Sequence, residues 1–242
     1  MIKKIFNIFK KEKKPKVIWW TTVDGLEKVV PVLPAKEVIP DWWKTTNKLL
    51  DKTDKGTIKN CPSFQEFFYE GYVMPLWTDV LLNVEKDVCE WKTPDITFSF
   101  DFHSDRQYKD LLPHYAQKDI KAILKPNCPW RLKTPDGYSV LQLPMSYHFN
   151  PLFEVLSGVI WTDIYHEINQ QMVIKQSGEH FIKRGTPLCV YIPYKREKFD
   201  YEIQSPNQQN TKWLQNTIAI ARTKFRNGYK IEQSKIKKCP YS

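Results

Sequence analysis

The residues that first suggest chemistry are His103, Ser104 and Asp105, following the run Ile96-Thr97-Phe98-Ser99-Phe100. An imidazole and a carboxylate two residues apart at a strand end can point together, which is how the first two ligands of a non-haem iron facial triad are arranged. His166 or His180 would supply the third ligand, and Arg184 or Arg196 would bind the carboxylate of a 2-oxo acid. Against this stands a plainer role, in which Asp105 caps a helix through Arg106-Gln107-Tyr108. A second pair, His166-Glu167, has the residue types of a general acid and base. It lies in the segment 166–175, where Ile168, Gln170, Met172 and Ile174 alternate with Glu167, Asn169 and Gln171. On such a strand neighbours face opposite ways, so His166 and Glu167 cannot share a site, and His166 is a rim or interface residue. The sequence contains no phosphate-binding glycine loop, nucleophile elbow or Cys–His nucleophile pattern.

These residues must be positioned by β structure. Val17–Thr22, Ile96–Phe100, Lys121–Lys125, Trp130–Lys133, Tyr138–Leu143 and Pro187–Pro193 are short apolar runs bounded by turn residues, the pattern of an antiparallel sandwich or barrel. Pro187 and Pro193 restrict the last run to the end or edge of a sheet. Two helices are expected before the strands: Asp41–Lys52, with Trp42, Thr46 and Leu49 or Leu50 on one face, and Pro62–Glu70, closed by Gly71. Each tryptophan pair, Trp19-Trp20 and Trp42-Trp43, should send one indole into the core. Near the C-terminus Leu214, Ile218, Ala221 and Phe225 share a helical stripe, with Asn210 as cap and Gly228 as stop, and a docked helix is the simplest reading. Four regions result: a basic terminus over 1–16, an extended and helical wrap over 17–70, a β domain over 71–200, and a helix with a basic tail over 201–242.

Composition agrees. The chain has 242 residues, 41% hydrophobic and 14% aromatic, with only 8 Gly, which suits a folded aromatic-rich protein and excludes disordered and collagen-like classes. Net charge is +10, but the stretches 1–16 and 222–238 each carry +6, leaving −2 between them. Basic ends on a near-neutral body suit an anionic partner and argue against a nucleic-acid face within the fold. Ile2, Ile5, Phe6 and Phe9 would line one side of a short basic helix at the start. No apolar run reaches the roughly 20 residues of a membrane helix. The 5 Cys are scattered, and with no secretory signal they read as reduced thiols rather than a zinc knuckle.

The segment from Trp130 to Pro193 resembles the dUTPase-like β-clip fold. The matching pieces are Pro135-Asp136-Gly137-Tyr138, then Gly158-Val159-Ile160 through Glu167-Ile168, and Gly185-Thr186-Pro187-Leu188. With Cys61–Val80 upstream, most of the chain also resembles an uncharacterised family encoded by tailed phages and some bacteria. The first resemblance implies a trimer with sites between subunits, and the second a place in a host cytoplasm or a virion. In the β-clip enzymes the aspartate directly after Gly-Val-Ile orders the attacking water. Trp161 stands there, with Asp163 two residues on. The phosphate-contacting Arg-Ser pair would fall at Met145-Ser146, so its arginine is missing, as is the glycine-rich C-terminal arm.

The expected fold is therefore mainly β, an antiparallel β-clip or jelly-roll-like domain with flanking N-terminal helices and a C-terminal helix. The leading function is a non-enzymatic viral accessory or structural protein, a β-rich binding or assembly module without a cofactor. Its candidate binding residues are Ser146, Trp161, Asp163 and His166, with Trp161 at a subunit contact of a homo-oligomer, favoured as a trimer. The alternatives are a nucleotide-binding dUTPase-like protein, degenerate or sequestering, and an iron- and 2-oxo-acid-dependent oxygenase on His103, Asp105 and His180.

Overall fold

The computed structural model describes residues 14–50, 55–85 and 88–222. The amphipathic start and the basic tail beyond 222, with Phe225 and Gly228, lie outside the described residues.

The wrap comprises β1 (Ile18–Thr21), α1 (Leu26–Val29), β2 (Leu33–Pro34), α2 (Asp41–Thr45) and α3 (Pro62–Phe67). The body follows as β3 (Tyr72–Pro75), β4 (Val80–Val84), β5 (Cys89–Lys92), β6 (Phe100–Phe102), α4 (His114–Gln117), β7 (Ala122–Pro126), β8 (Trp130–Lys133) and β9 (Tyr138–Pro144). It closes with β10 (Phe153–Val155), β11 (Gly158–Ile160), β12 (Met172–Ile174), β13 (Gly178–Ile182) and β14 (Pro187–Lys195), and α5 (Gln208–Arg222) ends the described chain. The protein is mainly β, and every strand pairing among the described residues is antiparallel.

The pairings nest. β3 pairs with β14, β4 with β13, β7 with β12 and β9 with β11, so strands counted forward from residue 72 meet strands counted back from 195. Two sheets have the orders β11-β9-β14-β3-β2 and β10-β12-β7-β6, and shorter ones the orders β13-β4-β5 and β1-β8. The wrap is thus stitched into the sheets at β1 and β2. Met74, Leu82, Leu124, Leu132, Met172 and Leu188 from these strands form one core. Within it Tyr191 Oη donates to Gln142 Oε1 at 2.8 Å and accepts from Gln170 Nε2 at 2.6 Å, which satisfies a phenol that is fully buried.

Several expectations need correcting. The helix expected over 41–52 ends at Thr45, because Thr46 is already extended; Leu49 then pairs with Gly56 and stays exposed, as does Leu50. Ser104, not Asp105, precedes the short helical turn 105–107, and Gln107 Oε1 accepts from the Ser104 N–H at 2.8 Å. The strand expected over 166–175 is regular only at β12, although Ile168, Gln170, Met172 and Ile174 are all buried as the alternation requires. β14 lies inside its sheet, between β9 and β3. Its prolines are tolerated because a bulge follows Pro187, and because Pro193 falls beyond Tyr191, the last residue paired with β3. Helix α5 starts earlier than expected, with Asn207 Oδ1 accepting from the Asn210 N–H at 2.9 Å. Its described large side chains, Trp213, Leu214 and Ile218, are exposed rather than docked. The tryptophan pairs behave as expected: Trp43 is buried and Trp19 packs on the core, while Trp20 remains partly exposed.

Candidate binding surface

The turn 161–165, directly after β11, is pinned by hydrogen bonds of its backbone and of Thr162 and Asp163. The N–H groups of Ile164 and Tyr165 both donate to the Trp161 carbonyl, at 3.1 and 2.8 Å. The hydroxyl of buried Thr162 meets that of Thr134 at 2.8 Å. Asp163, with a side chain only 6% exposed, receives the Gly137 N–H at 2.9 Å and both terminal nitrogens of Arg196, one of them at 2.9 Å. Such a two-point fork fixes direction as well as charge. The Arg196 hydrogen bonds, assisted by the Gly137 N–H, hold the Asp163 carboxyl down at about 2. Asp163 is therefore an anchor that is anionic at neutral pH, not a base poised near neutrality.

Arg196 does a second job. Its guanidinium carbon lies 4.5 Å from the centre of the Trp161 ring, so the clamp also supports the indole. Trp161 remains 55% exposed, and Val159, Ile164 and Tyr165 are exposed beside it in sequence. Tyr165 Oη donates to Glu167 Oε2 at 3.0 Å, and Arg131 binds the other oxygen of that carboxylate at 3.3 Å. His166 Nδ1 lies 3.0 Å from the Thr162 carbonyl, and its ring meets Trp20 edge-on at 5.5 Å. His166 and Glu167 thus turn to different partners, as the alternation implied.

Trp161, Asp163 and His166 come together in this way, but Ser146 does not join them. Gly137 and Ser146 lie just beyond opposite ends of the seven-residue β9, whose own ends are roughly 20 Å apart at about 3.3 Å per residue. Ser146 borders a separate cavity of about 400 Å³ with Tyr147, Phe149, Glu154 and Lys175. Tyr147 and Phe149 both have positive φ, at 66° and 51°. Trp42 Nε1 donates to the Tyr147 carbonyl at 2.6 Å, and Phe64, Phe67 and Phe68 surround the Tyr147 ring, which holds this loop in place.

Of the iron candidates, His103 and Asp105 border one cavity, and His180 is not among the residues that line it. Asp105 pairs with Lys109 at 3.1 Å, and His180 Nε2 lies 3.1 Å from the Ser177 carbonyl on β13. His103 Nε2 is buried without a hydrogen-bond partner beside a cavity of about 240 Å³ that Cys89 and Asp105 also line. Among the described residues no three His, Cys, Asp or Glu side chains are placed to share a metal ion. Another cavity, of about 400 Å³, lies between α1 and the β7–β8 turn; the charges at its rim, Lys125 with Asp101 and Arg131 with Glu167, neutralise one another.

The residue that sequence reading missed is Arg196 as the partner of Asp163. They are 33 positions apart, and only β14 running beside β9 brings the guanidinium to the turn. No helix among the described residues is long and apolar enough to cross a membrane. No protein-family model matches the chain, and no curated protein matches its sequence.

Proposed function

We propose that this protein is a non-enzymatic binding and assembly module that self-associates through the β11 edge and the turn after it. The observation that carries the reading is Trp161. A large indole, 55% exposed, is stacked on an arginine that is itself locked by a buried carboxylate. Exposed aromatic side chains held rigid at a surface lose little entropy on binding and are enriched in interfaces. Val159, Ile164 and Tyr165 extend the apolar surface, and β11 is the outer strand of its sheet, with one side open to pairing.

The nested strand order supports the jelly-roll form of the β reading. The β-clip resemblance adds a three-fold arrangement of copies, and the phage-family resemblance adds an accessory or structural role in a virion or an infected host. The nucleotide-binding alternative has less support, because Asp163, the carboxylate closest to the position where the enzymes hold their water, is committed to Arg196.

Size exclusion with light scattering tests the reading. The full chain should run as an oligomer at tens of micromolar, and Trp161→Asp should lower its mass while leaving the thermal melt of the β structure in place. A monomeric wild type, or a Trp161→Asp oligomer of unchanged mass, would overturn it. Nucleotide hydrolysis by the wild-type protein would favour the enzymatic alternative instead.

A further inference from the structure

After Arg196 the described chain stays off the sheets and buries almost nothing. Residues 197–207 form no regular element, and Phe199, Tyr201 and Ile203 are 83%, 89% and 89% exposed. Helix α5 follows, with Trp213, Leu214 and Ile218 at 58%, 59% and 40% exposed. Six large apolar side chains in one contiguous arm are unlike the scattered single residues of an ordinary surface. At roughly 150–250 Å² per large side chain they present on the order of 800 Å² of apolar surface. That is about what one partner contributes to a stable protein interface.

The chemistry of α5 identifies the occupant. Leu214, Ile218 and Ala221 are spaced four and three residues apart, as a helix–helix seam requires, and the sequence carries the same spacing on to Phe225 outside the described residues. Ile at one seam position and Leu at the other suits two strands. The residues flanking the seam, Gln208, Asn210, Gln215 and Thr217, are neutral; Thr211 is the seam position before Leu214, and Lys212 and the terminal Arg222 are the formal charges of the helix. An interfacial membrane helix would carry Lys and Arg across its polar face. A neutral face places no like charges against each other when two identical helices pair.

We infer that residues 197–222 form a self-association arm, in which α5 packs against α5 of a second copy along Leu214 and Ile218, and Phe199, Tyr201 and Ile203 are covered in the same contact. The same surface serves both copies, so the contact is two-fold. This deepens the assembly reading above and rests on it: a three-fold contact at Trp161 and a two-fold contact at the arm close into six copies.

Light scattering on three full-length proteins separates the two contacts. Leu214→Glu with Ile218→Glu should remove only the arm contact and halve the assembly to trimers, while Trp161→Asp should leave dimers. Ile218→Cys should form an intermolecular disulfide under mild oxidation that wild type, with its own cysteines, does not. If the glutamate pair leaves the mass unchanged, or Ile218→Cys crosslinks no faster than wild type, the arm contact is wrong even where Trp161→Asp behaves as expected. If the glutamate pair changes only binding to anionic vesicles, the arm is a membrane element and the inference falls. A change of mass on the glutamate pair but not on Trp161→Asp keeps the arm and removes the Trp161 contact.

Discussion

Asp163 shows how a residue can look catalytic and be structural. Its carboxyl is held by Arg196 and Gly137, well below its ordinary 3.8 and down at about 2. A carboxylate lowered on folding stabilises the protein above its unfolded value, and that stabilisation is lost as pH falls through the folded value. The window is therefore pH 4 to 2, and neutral pH lies on the plateau. The urea midpoint of the wild-type protein should fall across that window. Asp163→Asn should be less stable at pH 7 and show a shallower fall, because the amide keeps the volume but has no charge to lose. Equal slopes in the two proteins would show that Asp163 contributes nothing to acid unfolding. The contact role proposed for Trp161 was argued from its place in the turn, where the structure leaves the indole exposed; its support by Arg196 was not legible, since nothing local in either segment points to the other.

At the level of elements, sequence read best where one strand makes its own case. β9 and β14 are short apolar runs bounded by turn residues, and α3 begins at Pro62 as its fixed φ favours. The failures are at contacts between elements. α2 stops at Thr45, where Thr46 turns extended, and Trp42 and Trp43 pack on Phe64 and Phe68 instead of beginning a longer helical face. Gly71 is the clearest element-level constraint. It links α3 to β3 with φ +84°, and a Cβ there would sit 2.4 Å from the Tyr191 carbonyl oxygen in the middle of β14. Gly71→Ala should therefore cost more than the roughly 1–3 kcal/mol of a left-handed non-glycine residue. Gly185→Ala is the control, with φ +87° and open space around the position, so it should show the backbone term alone. Denaturant unfolding of both variants checks this, and equal losses would mean that β3 and β14 part easily.

For the whole molecule, the nested pairing makes the core a product of distant segments. Leu124 on β7 is fully buried and lies opposite Phe102 on β6 and Met172 on β12. Leu124→Ala should cost about 2–5 kcal/mol, the range for a leucine truncated where the surroundings cannot collapse. Ile96→Ala, at a position that is 97% exposed and outside both proposed contacts, should stay within about 0.5 kcal/mol. Urea titrations of the two variants give the comparison, and similar small losses would mean that the sheets do not share one core. The basic ends seen in the charge distribution fall largely outside the described residues, so the assembly proposed here rests on the body and on the arm.

The sequence by itself determined that the chain is mainly antiparallel β, that short helices flank the strands, and that one indole of each tryptophan pair packs into the core. These follow from local periodicity and from the size of apolar side chains, which are properties of a few neighbouring residues. Only the tertiary structure decided that Asp163 is an anchor, that Ser146 lies at the far end of β9 from Trp161, and that α5 is exposed on its own chain. Each of these depends on which strands lie side by side. That choice is made by burial across sequence separations of tens of residues, where no local pattern records the partner.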